Sequence, residues 1–140
     1  MKLQPLSSLV EQRLPLAIGA IPAGFPSPAE QYIQDSLDLN ELVVRHPSAT
    51  FYAWAEGSSM ELAGIFDGDL LVIDRSLEPV SGDVVIAAVA GEFTCKRLNL
   101  KARLLQADSA HSYPVIPCTD ETIIEGVVVH SVRMHRCIRA

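Results

Sequence analysis

Cysteine is scarce. Cys95, Cys118 and Cys137 are too few and too scattered for a disulfide framework, no Cys-x-x-Cys pair occurs, and all three read as free thiols. Histidine is no better placed: His46, His111, His130 and His135 show neither metal-ligand spacing nor a triad order. The expectation is therefore no metal, no cofactor and no histidine catalysis. Basic residues are also short, with 11 Lys and Arg against 17 Asp and Glu, giving a net charge of −6 and a pI near 5.1. A domain of that balance is not held on DNA by phosphate contacts, so direct nucleic acid binding is not expected. No apolar run approaches the roughly 20 residues that span a bilayer, and the first residues lack the charged-then-apolar order of a signal peptide. A cytoplasmic protein with no membrane partner is expected.

What is present is enough apolar residue, 49% of the chain, to build one globular unit. Residues 1–20 interleave Leu and Val with polar groups, are broken by Pro5 and Pro15, and read as an arm. The run Ile21-Pro22-Ala23-Gly24-Phe25-Pro26-Ser27-Pro28 is biased to extended backbone, and by composition reads as a linker. From Pro28 to Val44 the spacing predicts one or two short helices, with Tyr32, Ile33, Leu37 and Leu42 facing inward and Asp38 as a cap. Thereafter strand patterns dominate, near 51–56, 69–75, 83–90, 92–98, 102–108 and 123–134. Turns are expected at Gly68, Ser81-Gly82, Ala90-Gly91 and 109–112. The fold class is mainly β, with twisted antiparallel sheets. Arg133, Arg136 and Arg139 beside His135 read as a solvated terminal face. Asp67, Asp69, Asp74 and Asp83 lack a calcium-loop pattern and read as turn and edge residues.

Two stretches carry chemistry. The first, Glu56-Gly57-Ser58-Ser59-Met60, is a polar turn leaving a strand, where either serine could be exposed as a nucleophile. Gly57 would let backbone approach a substrate closely, and the Ser59 N–H is a candidate oxyanion donor. The second stretch, Gly91-Glu92-Phe93-Thr94-Cys95-Lys96-Arg97-Leu98, sets Thr94, Lys96 and Leu98 on one face of a strand. Arg97 cannot be a base, whereas an enclosed lysine can lose its proton. Moving Lys96 from about 10.4 to roughly 7 would take about 4 to 5 kcal/mol, at about 1.36 kcal/mol per pKa unit, which apolar enclosure must supply.

Gly57-Ser58-Ser59-Met60, Asp67-Gly68-Asp69 and Phe93-Thr94-Cys95-Lys96-Arg97-Leu98 together resemble the UmuD/MucA proteins and the C-terminal domain of LexA repressors. The resemblance runs from about Ala23 to Val132 and is nearer UmuD. It implies a LexA-like and signal-peptidase-like β-fold and a self-cleaving serine peptidase, with Ser59, which immediately precedes Met60, as nucleophile and Lys96 as base. The implied cut is Ala23-Gly24, similar to the Ala-Gly of LexA and unlike the Cys-Gly of UmuD. It would divide the chain into a released arm, 1–23, and a peptidase domain, 24–140. The resemblance further implies stimulation by RecA filaments on single-stranded DNA. The shortened form would be a homodimer serving a UmuC-like Y-family polymerase in SOS translesion synthesis. A non-cleaving accessory protein, a LexA-like repressor fragment and a signal-peptidase-like enzyme are the rival readings. About twenty residues before Ala23 leave little room for an operator-binding domain, and the lack of an anchor speaks against the last.

Overall fold

From Thr50 onward, alternating apolar and polar residues separated by glycine turns fold into one seven-stranded antiparallel sheet. The computed structural model describes residues 11–17, 19–25 and 34–136. Tyr32, Ile33, Cys137, Arg139 and the segment 26–28 lie outside the described residues. The described chain falls into two compact units dividing after Arg45, where the sequence had suggested one.

In the first unit, β1 (Arg13–Ala17) pairs antiparallel with β2 (Gln34–Asp38). The expected arm thus contains a strand, and within the stretch 28–44 read as helical, Gln34–Asp38 form β2 instead. Alternation across Asp35, Ser36 and Leu37 suits a strand as well as a helix turn, and the ladder to β1 decides between them. A five-residue helix, α1 (Leu39–Val43), follows, and the Asp38 carboxylate caps it by accepting from Asn40 N–H at 3.1 Å, as expected. Leu42, expected inward, is 44% exposed.

The second unit contains β3 (Thr50–Trp54), β4 (Leu70–Asp74), β5 (Val84–Val89), β6 (Glu92–Asn99), β7 (Leu104–Gln106), β8 (Ile116–Pro117) and β9 (Ile123–Val132). Their order across the sheet is β3-β4-β9-β5-β6-β7-β8. Alternation along β5 builds two cores: Ile86 packs with Met60, Ile65, Leu71 and Ile73, while Val85 and Ala87 pack with Leu98, Leu105 and Val127. Each Val, Leu, Ile or Met side chain fully removed from water contributes about 1.5–3 kcal/mol, so the cores fix the sheet. β9 crosses between β4 and β5 because Gly126 admits the close approach of Ile73, whose Cγ2 would lie 2.6 Å from an added Cβ.

Two local features place the chemistry. Ala90 and Gly91, with φ of 49° and 80°, form the two-residue turn that sets Val85 opposite Lys96 in the β5–β6 register. After β3, the chain turns at Gly57, whose φ of 90° favours glycine. Asp67 accepts from Gly57 N–H at 2.8 Å. The glycine therefore serves the turn, and it also lines the cleft beside Ser59.

Candidate active site

β6 presents Lys96 to the loop that follows β3, and Lys96 Nζ lies 3.2 Å from Ser59 Oγ. Strand alternation supplies a second partner, since Thr94 Oγ1 lies on the same strand two residues earlier and accepts at 2.9 Å. The Cys95 carbonyl accepts at 3.2 Å, so three oxygens satisfy the three ammonium protons. No carboxylate is ion-paired with Lys96 among the described residues. Burial therefore prevails and holds the Lys96 amine below its ordinary 10.5. The adjacent Cys95 thiol is pushed up to about 11 by burial, and stays an uncharged packing group.

Ser58 is otherwise engaged, sharing a hydrogen bond between its Oγ and the Tyr113 hydroxyl. Ser59 Oγ is thus the hydroxyl offered to the amine. The Ser59 N–H has no acceptor among the described residues, which leaves it available to an incoming oxyanion. These groups open onto a cleft of about 460 Å³ with an apolar floor that includes Phe51, Ala53, Ile65, Leu71 and Ile86. When Lys96 is charged it donates to Ser59; once neutral, its lone pair can accept the hydroxyl proton. Lys96 is half-buried at the edge of this cleft.

Ala23 and Gly24 belong to the first unit, where both are exposed and lie in a bend. Other sequence expectations resolve into ordinary contacts. Asp67 caps Gly57 and Asp83 accepts from Val80 N–H. Asp74 accepts from Ser76 N–H and Oγ–H, and its other oxygen lies 2.6 Å from His46 Nδ1. The carboxylate stands between the serine and the histidine, so Ser76 gives its proton to Asp74 and this is no triad. Cys95 and Cys118 are free thiols.

The solvated reading of Arg133 is corrected. Its Nε and Nη2 donate to Asp69, Nη2 also donates to the Gly64 carbonyl, and the guanidinium lies 4.0 Å from the Phe66 ring centroid. Asp69 is nearly inaccessible, and a buried carboxylate requires such a partner. Sequence reasoning did not single out Thr94 or Asp108 for a role at the serine; the alternation that placed Thr94 beside Lys96 was the available signal for the first, and Asp108 offered none.

Comparison with known proteins shows the family. The Peptidase S24-like family matches residues 15–129, so the chain belongs to that family, in its UmuD/MucA branch, with its mainly β LexA-like fold. Protein SamA of Salmonella typhimurium is 43% identical over 132 residues, covering 92% of this chain and 94% of its own length. Protein MucA of Escherichia coli is 45% identical over 130 residues, 90% of this chain and 89% of MucA. LexA repressor 1 of Pseudomonas syringae pv. tomato is 35% identical over 127 residues, 88% of this chain and 62% of the repressor.

Proposed function

We propose that the chain is a self-cleaving serine peptidase in which Ser59 is the nucleophile and Lys96 the general base. The observation that carries this reading is the 3.2 Å approach of Nζ to Oγ in an apolar cleft, with no acidic partner on the amine. Neutral Lys96 takes the Ser59 proton as Oγ attacks the Ala23 carbonyl; the proton then passes to the Gly24 nitrogen as the Ala23–Gly24 bond breaks. Water, activated by the same amine, hydrolyses the ester left on Ala23. Thr94 orients the amine, and the Ser59 N–H stabilises the oxyanion. Attack within one molecule replaces a bimolecular encounter, so little activity on other proteins is required.

The products are the arm 1–23 and the domain 24–140. Relatedness to MucA, SamA and a LexA repressor supports placing this reaction in the SOS response. On this reading a RecA filament on single-stranded DNA stimulates the cut, and the shortened form dimerises and serves a UmuC-like translesion polymerase. No helix among the described residues is long and apolar enough to cross a membrane, and we place the reaction in the cytoplasm.

Incubating the purified chain at alkaline pH and sequencing the new N-terminus tests the proposal. A fragment beginning at Gly24 is expected. Ser59→Ala and Lys96→Ala should each abolish it, by about a thousandfold or more, while Ser58→Ala keeps most of the rate. Cutting that survives in Lys96→Ala would assign the base elsewhere. A chain left whole with and without activated RecA would support the non-cleaving accessory role.

A further inference from the structure

Lys96 meets the Ser59 hydroxyl directly, while its neighbour on β6 reaches the same residue through the main chain. Arg97 Nε and Nη2 donate to Asp108 Oδ2 at 3.2 and 2.8 Å, and Nη1 donates to the Gly82 carbonyl at 2.6 Å. The guanidinium is thereby anchored at both ends. Asp108 grips the serine loop with its backbone: its N–H donates to the Ser59 carbonyl, and its carbonyl accepts from Leu62 N–H, both at 2.8 Å. Asp108 lies beyond the end of β7, so no strand ladder holds it where these two bonds need it. Its side chain, clamped by Arg97, supplies the missing restraint.

Turning the Ser59 carbonyl toward Asp108 fixes the plane of the following peptide, because that bond is rigid. It also limits where the Ser59 side chain can point. The 3.2 Å contact between Oγ and Nζ is at the long end for a hydrogen bond of this type, so a small drift of the loop would break it.

We propose that Arg97 and Asp108 are positioning residues for Ser59, so that one strand carries both the base and the guanidinium that sets the distance to it. This rests on the reading of Ser59 and Lys96 as nucleophile and base.

The test follows self-cleavage of the full chain across the alkaline range. Asp108→Ala and Arg97→Met are each expected to lower the plateau rate by about tenfold to a hundredfold. The double variant should lose no more than either single change, since one device is removed in all three. It deletes one charge of each sign, so the midpoint of its pH–rate curve should stay at the wild-type position. A purely structural pair would lower the melting temperature and leave the plateau rate of folded protein unchanged. Wild-type plateau rates, or losses that multiply in the double variant, overturn the proposal. Amide exchange provides a reading that needs no cutting: in Arg97→Met, Leu62 and Asp108 N–H should exchange faster while Val72 and Ile73 stay protected. Unchanged exchange at Leu62 and Asp108 likewise overturns it. A wild-type chain that never cuts, combined with released amides in the variant, would sink the self-cleavage reading and leave the clamp on the serine loop standing. Should Arg97→Met fail to fold, Asp108→Asn keeps an acceptor oxygen and should lose only a few-fold; a loss as large as that of Asp108→Ala counts against the clamp.

Discussion

The two units are stabilised by different means. In the first, β1 is exposed along its whole length, and its ion pairs, Arg13 with Glu11 at 3.0 Å and with Glu41 at 3.2 Å, sit in solvent. A two-stranded ladder with such pairs is marginal in water. In the second, Leu71, Val72, Ile73, Val85, Ala87 and Leu105 are essentially inaccessible, and both faces of β5 are packed. Ser59 and Lys96, themselves half-buried, are thus carried on a framework fixed by burial, whereas the proposed scissile bond lies in a unit that can open locally at little cost. Rigid apparatus and pliable substrate suit an intramolecular cut, since the bond must adapt to the site.

Several changes break or sharpen that contrast. The largest stability effect is expected for Gly126→Ala, which forces a Cβ against Ile73 Cγ2 at 2.6 Å and the Asp74 carbonyl at 3.2 Å. A loss of about 2 kcal/mol, read by urea unfolding, is expected from overpacking in the second unit. Next, Arg133→Ala leaves Asp69 buried without its guanidinium. The melting temperature should fall by roughly 5 °C or more; no change would mean that Asp69 finds water instead.

Acid should act on the same unit. The Arg133 hydrogen bond holds the Asp69 carboxyl below its ordinary 3.8 despite burial. Burial alone would raise Asp74, but bonds from His46 and Ser76 outweigh it and leave it below 3.8. Both groups bind protons more tightly when unfolded, so their stabilisation is complete above 3.8 and is lost as pH falls through the folded values. Unfolding free energies measured down that range should decline, and less steeply in Asp69→Asn. Lys96 acts in the same direction at the other end of the scale: its folded value is below 10.5, so the cost of burying its charge is relieved as pH rises toward 10.5. The proposed cutting rate should accordingly climb with pH to a midpoint below 10.5. The smallest effect belongs to Arg13→Ala, which should leave the melting of the second unit unchanged within about 1 °C.

Chemistry set by local pattern was legible in the sequence. Alternation placed Thr94 beside Lys96, Ala90-Gly91 announced the hairpin that sets its register, and Asp38 declared a cap. Contacts between distant segments were not. β1 and β2 lie far apart along the chain, and each, at five residues, is too short to announce a strand without its partner. Arg133 reaches Asp69 from 64 positions away, and Asp108 supports Ser59 from an irregular segment with no periodicity of its own. His46 and Asp74 were both visible as residues, but their pairing depends on the register of β3 against β4.

β1 and β2 lie on opposite sides of Ala23–Gly24. Hydrolysis there, followed by departure of the leading peptide, would strip Gln34–Asp38 of its hydrogen-bonding companion and take the guanidinium of Arg13 away from Glu41. Proteolysis would then uncover a fresh strand margin with bare amides and carbonyls, available to whatever polypeptide next aligns beside it.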